Sequence, residues 1–307
     1  MTQTQMAILR TLTYFSIFKH PLKIDEIHNF LLFHKCSVEE AKEEAKKLKS
    51  DGKIFEIDGF FMIENKKDWV VNRIKGEKLA KKFWLVAKFM AHLIKRFPFV
   101  RAIFISGSLA KWNVSFNTDI DFFIITKSNR LWLTRSFLIA FKKLFLFNSK
   151  KFFCLNYFIT DDHLEIEDKN IFTAIEIASV KPIYNQDMYF KFIDANAWVK
   201  NYLPNFSPYQ VAKPISNRIS LFQTVSENLF ELTFNNNRKL LDKFDLKLME
   251  KWKEIWKRRY PGLTDEERDL MFRCRPYASK AHPNNFQGFV LKSYNERIKI
   301  FMNGEEI

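Results

Sequence analysis

The sequence predicts an α+β protein in which a small mixed sheet carries helices and is flanked by further helical segments. Three observations predict it. Residues 100–106, 120–126 and 152–160 are short apolar runs of strand character, separated by a short helix from Ser108 and a longer one over 131–147. Residues 1–65 read as three helices followed by a hairpin. From about residue 170 the apolar residues recur at helical spacing. The expected division is therefore 1–65, 66–168 and 169–307.

Residues 6–18 form an apolar-periodic helix, and a second short helix over 24–33 follows His20-Pro21. Ser37 opens a third helix with a capping box: its hydroxyl bonds the amide of Glu40, whose carboxylate reaches back. Gly52 ends that helix, and 54–63 reads as a hairpin around Asp58-Gly59, the pair favoured in a type I′ turn. This order resembles that of winged-helix domains. The third helix would then be the recognition helix, but its first turns carry Glu39, Glu40, Glu43 and Glu44. Those acids stabilise a helix N-terminus and would oppose phosphates, so a structural or partner-docking role is expected rather than sequence-specific DNA binding.

Residues 67–97 read as one or two helices leading into the central strands. Beyond these, helices are expected over 171–178, 189–202, 217–234, 237–259 and 285–302. Thr264 with Glu267 makes a second capping box.

With 307 residues, 47% of them hydrophobic and 34 of them Phe, the chain can bury a large core, and fibrous or disordered classes are excluded. Lys and Arg outnumber Asp and Glu by 50 to 35, a formal charge of +15 that favours polyanionic partners such as nucleotides or nucleic acid. Cys36, Cys154 and Cys274 are far apart and form no C-x-x-C, which points to a reducing, cytoplasmic home without a disulfide framework. The N-terminus lacks the order of a signal peptide, and the most apolar run, 131–147, is too short and too charged to span a bilayer.

The stretch FISGSLAKWNVSFNTDIDFFIIT carries the chemistry. An apolar strand runs into Gly107-Ser108; after ten intervening residues Asp119, Ile120 and Asp121 open another. Gly107 permits a tight turn. The turn delivers backbone amides, and Ser108 a hydroxyl, where phosphate oxygens are favoured. Carboxylates two apart on a strand share a face and can form a Mg²⁺ site. A metal there clamps a triphosphate and assists an attacking hydroxyl.

This pattern resembles the nucleotidyltransferases of the polymerase β superfamily, and most closely the minimal nucleotidyltransferases, over roughly residues 80–165. The resemblance implies that Gly107 and Ser108 hold the triphosphate and that Asp119 and Asp121 bind Mg²⁺ or Mn²⁺. It implies an NTP as donor; the acceptor, whether small molecule, RNA or protein, stays open. Two departures matter. The third strand, where the family often places a third carboxylate, has Asn156 at its centre; an Asn carbonyl can ligate metal but is no general base. Asp161, Asp162 and Glu165 lie just beyond it, as substitutes or as turn acids. Trp112 stands where many minimal members have Gly, and packing is the expected role.

The Pro-punctuated segment FRCRPYASKAHPNNFQ reads as a basic loop between helices. Its Arg273, Arg275, Ser279, Lys280, His282 and Asn284 either fold over the cleft, with Lys280 and His282 on substrate phosphate, or are surface groups. The remaining histidines are scattered and read as structural. Two functions follow from these expectations: a Mg²⁺-dependent nucleotidyltransferase, or a catalytically weak or inactive relative acting in nucleic-acid binding or regulation, including a toxin–antitoxin-like role.

Overall fold

A computed structural model describes residues 1–208, 221–233, 238–283 and 285–302. Residues 217–220, 234, 237 and 284, which the helix and loop expectations touched, lie outside them. The chain is α+β. Five strands, β3 (Val100–Ser106), β4 (Asp121–Thr126), β5 (Cys154–Thr160), β6 (Lys181–Tyr184) and β7 (Ala278–Lys280), form one mixed sheet in the order β6-β3-β4-β5-β7. Only β4 and β5 run parallel. The helix between them, α6 (Leu131–Phe145), supplies the crossover that a parallel pair requires.

The sheet differs from expectation at both edges. Strands β6 and β7 come from the segment read as helices and their connections, and β7 lies within the stretch read as a loop. Edge strands of three or four residues are too short to carry a periodicity.

Helices cover both faces. One face packs against α1 (Gln3–Ser16), α7 (Ile171–Ser179), α8 (Gln186–Ala195) and α12 (Phe286–Met302), in a core that includes Phe104, Phe123 and Ile125. The other packs against α4 (Lys67–Ile94), α6, α10 (Arg238–Arg259) and α11 (Asp265–Met271), around Ile103, Phe122, Ile124 and Phe158. The alternation Phe122-Phe123-Ile124-Ile125 explains the assignment: strands buried on both faces read as continuous apolar runs. On the first face Phe104, Phe123 and Tyr157 stack across three strands, with ring centroids 5.8 and 5.2 Å apart.

The N-terminal residues form α1, α2 (Ile24–Asn29), α3 (Val38–Ser50) and a hairpin of β1 (Phe55–Ile57) and β2 (Phe60–Met62). Asp58 and Gly59 both have positive φ, 52° and 77°, as a type I′ turn demands. Ser37 caps α3 as expected, accepting from the Glu40 amide at 3.1 Å. The Glu40 carboxylate does not reach back; it accepts from the Thr4 hydroxyl at 2.5 Å and ties α3 to α1. The Thr264–Glu267 box forms in both directions. Helix α1 shares its core with the sheet face, and Tyr14 meets Tyr294 of α12 edge-on at 5.9 Å. Among the described residues no helix is long and apolar enough to cross a membrane.

Truncating the central ring of the cross-strand stack, Phe123→Ala, opens a cavity at the middle of the sheet. Denaturant unfolding is expected to show a loss of about 3–5 kcal/mol, without change in the elements that far-UV circular dichroism reports.

Candidate functional site

The ends of β3, β4 and β5 place the sequence motif. Ser106, the last residue of β3, pairs with Asp121, the first of β4, so the register fixes Gly107 beside the Asp121 carboxylate. Gly107 has φ +64°, and a Cβ added there would collide with Asp121 Oδ2. Glycine is thus required twice, for the left-handed turn and for the room the carboxylate occupies. Ile120, fully buried, separates Asp119 from Asp121. Its amide donates to the Lys151 carbonyl at 2.8 Å, and its carbonyl accepts from the Cys154 amide at 3.1 Å. This extended pairing turns Ile120 into the core and both carboxylates to the opposite side.

On β5 the register against β4 slips by one: Phe122 pairs with Leu155 and Phe123 with Tyr157. Asn156 is the extra residue. Its carbonyl accepts from the Ala281 amide at 3.2 Å, which joins the end of β7 to the site. Such bulges re-aim a side chain locally. The Cys154 side chain lies opposite Asp121 in the ladder and lowers the pKa of its carboxyl.

A cavity of about 600 Å³ opens at these strand ends. Gly107, Ser108, Asp119, Asp121, Asn156, Lys280 and His282 all line it, so the structure brings these seven candidate residues together. Glu176 of α7 adds a third carboxylate that no motif announced. It forms an ion pair with Lys111, and its charge adds to that of Asp119 in raising the pKa of Asp121. Cations from α6 and beyond, Arg135, Lys142, Lys143, Lys150 and Arg259, also face the cavity. Tyr14 and Phe15 bring α1 into the wall, and the Tyr14 hydroxyl is buried there without a hydrogen-bond partner.

Electrostatics follow from enclosure. Burial, with repulsion from Asp119 and Glu176, pushes the Asp121 carboxyl up to about 7 despite the opposing influence of Cys154 and Lys111. Burial, with Lys280 and Arg135 nearby, pulls His282 down to about 4, which keeps its imidazole neutral at pH 7. His20, read from sequence as structural, is buried against Arg73 and also lines the cavity; burial and the Arg73 charge hold it well below the ordinary value.

The basic segment divides. Lys280 reaches the cavity, yet its ammonium is tied to Asp168 at 3.1 Å and Gln287 at 3.0 Å. Arg273 and Arg275 are taken up by Asp168, Glu167 and Asp269, away from the cavity lining. The Ser279 hydroxyl is buried off the cavity lining, with no hydrogen-bond partner. Asp161, Asp162 and Glu165 lie beyond the far end of β5, where Asp161 accepts from the Ser128 amide at 2.9 Å, Asp162 meets His163 and Glu165 meets Lys169. None of the three lines the cavity. Trp112 packs near Trp84, ring centroids 6.2 Å apart, with φ +57°, a left-handed conformation that glycine adopts more readily.

Compared with known proteins, the chain matches no family model, no curated protein and no solved structure. Among the described residues no cluster of three or more His, Cys, Asp and Glu forms a ready metal cage. Asp119 and Asp121 offer two carboxylates, oxygen donors of the kind a hard divalent cation takes.

Two outcomes follow. Gly107→Ala is expected to cost about 1–3 kcal/mol in unfolding free energy, from the left-handed backbone alone, and to displace Asp121. In the metal-free protein the raised Asp121 pKa contributes stability that is full below the ordinary carboxylate pKa and is lost as pH rises through about 7. Relative to Asp121→Asn, the wild type should therefore lose roughly 3 kcal/mol between pH 5 and pH 8, measured by denaturant titration at each pH.

Proposed function

We propose that this chain is a nucleotidyltransferase of polymerase β type, transferring a nucleotidyl group from an NTP to an acceptor with Mg²⁺ or Mn²⁺. One observation carries the reading: the Gly107-Ser108 turn packs directly against Asp121, with Asp119 beside it, in a cavity rich in Lys and Arg. In this reading residues 1–65 are a winged-helix-like unit, 66–168 the nucleotidyltransferase unit and 169–307 a largely helical unit that closes the cavity.

Asp119 and Asp121 would hold the metal, with the Asn156 side-chain carbonyl as a neutral ligand. Such an ion would supply charge neutralisation for the triphosphate and polarisation of the phosphoryl group. Gly107 and Ser108 receive the triphosphate, and Lys142 and Lys143 of α6 balance its remaining charge. Lys280 acts through its bond to Asp168, which positions β7 and His282 at the cavity wall. Glu176 is the third carboxylate of the cavity, supplied by α7 in place of β5. The cavity also suits phosphate-rich partners beyond NTPs, in keeping with the formal charge of +15.

A second reading is favoured by Asn156: a protein that keeps the fold and binds nucleotide, acting in nucleic-acid binding or regulation with little or no turnover. The two separate in one experiment. Incubation with labelled NTPs, Mg²⁺ and candidate small-molecule, RNA and protein acceptors is expected to give transfer in the wild type and none in the Asp119→Ala, Asp121→Ala double variant. Equal transfer by both proteins would falsify the assignment. Nucleotide binding by the wild type without transfer to any acceptor would establish the second reading. Replacing Asn156 by Asp is expected to strengthen Mg²⁺-dependent NTP binding at pH 8, read by calorimetry.

A further inference from the structure

Among the described residues four arginines are buried: Arg73, Arg130, Arg135 and Arg273. Three have carboxylate partners, Arg73 with Glu26 at 2.6 Å, Arg130 with Asp242 and Arg273 with Asp168 at 3.0 Å. Arg135 has none. Its Nε and Nη1 are buried without a hydrogen-bond partner, although the side chain lines the cavity. Its guanidinium lies over the rings of Phe158, 4.9 Å to the centroid, and Trp252, 5.8 Å. Among the described residues no carboxylate forms an ion pair with it, and burial lowers its pKa to about 10. A buried charge is retained where it is paired, and the aromatic faces fix the guanidinium plane without satisfying its donors.

The position is distinct from the carboxylate pair. Asp121 projects on the face of the sheet shared with Phe123, whereas Phe158 belongs to the opposite face. On α6, Arg135, Ile139 and Lys142 fall on one helical stripe, and all three line the cavity. The cavity thus joins a carboxylate end to an unpaired cationic end.

We propose that Arg135 is the receptor for an oxyanion, a phosphate or a carboxylate, of a molecule bound at this second end of the cavity. The planar fork of the guanidinium matches either group through paired N–H donors. That this molecule is the acceptor rests on the nucleotidyl-transfer reading; the anion site itself does not. The acceptor would then be an anionic compound or end group.

The experiment uses the full chain in EDTA, so that no metal bridges the probe, with tripolyphosphate and citrate titrated calorimetrically. Wild type should bind at least one of them, the responding anion naming phosphate or carboxylate as the group received. Arg135→Met should weaken that binding roughly ten- to hundredfold, and its melting midpoint without anion should not fall below that of wild type, because an uncompensated buried charge has been removed. A merely structural Arg135, held by its two aromatic rings, predicts the reverse: a lower midpoint and unchanged binding. If the methionine variant does not fold, Arg135→Lys decides, since it keeps the charge and loses the fork; unchanged binding there overturns the proposal. So does the failure of wild type to bind either anion. Anion binding through Arg135 without nucleotidyl transfer from any NTP would retain this site and remove the transferase reading. Transfer without an effect of Arg135 on anion binding would do the opposite.

Discussion

Two carboxylates held side by side at the end of a buried sheet repel each other and lose water, and the surrounding structure is arranged around that constraint. The paired register of Ser106 and Asp121 forces Asp121 against the Gly107 turn. Ile120, anchored by backbone bonds on both sides, forbids the strand from rotating the charges into solvent. The neighbouring Cys154 and Lys111 side chains do too little to offset burial, so the carboxyl of Asp121 stays well above its ordinary range. A site of this kind is stabilised by whatever brings positive charge to it. The cations lining the remainder of the cavity are correspondingly suited to a ligand whose anionic groups extend beyond the two aspartates.

The cavity wall is assembled from segments distant in the chain. Helix α1 contributes Tyr14 and Phe15, α7 contributes Glu176, α6 contributes Arg135 and Lys142, α10 contributes Trp252, and the end of β7 contributes Lys280 and His282. The N-terminal residues are therefore not an appendage: α1 packs in the same core as the sheet face and also borders the cavity. The basic segment after α11 serves mainly as scaffold, because Arg273 and Lys280 both engage Asp168 and so hold β7 against β5.

Much of the fold was legible because its signals are local. The apolar strands β3, β4 and β5, the helix α6, the Asp58-Gly59 turn and both N-caps depend on neighbours within a few residues. The Gly107-Ser108 and Asp119-Asp121 pattern was legible for the same reason: a left-handed turn and a two-residue strand period are written in adjacent positions. Strands β6 and β7 were not, since each is defined only by the edge it joins. Neither the partner of the Glu40 carboxylate, which is Thr4 rather than Ser37, nor the taking up of Lys280 by Asp168 could be read from spacing. Both are contacts across more than thirty residues.

By itself the sequence determined a mixed α+β chain, a tight glycine turn followed by two aspartates on one strand, and an asparagine at the centre of the third strand. Tertiary structure decided what surrounds them. It placed Glu176 from a distant helix near the pair, and it made Asn156 the extra residue of a bulge. It also left Arg135 buried in the cavity wall with no carboxylate partner among the described residues. The division has one physical cause. Backbone conformation responds to adjacent side chains, whereas the balance of buried charge is set only when separate segments close on one another and water leaves.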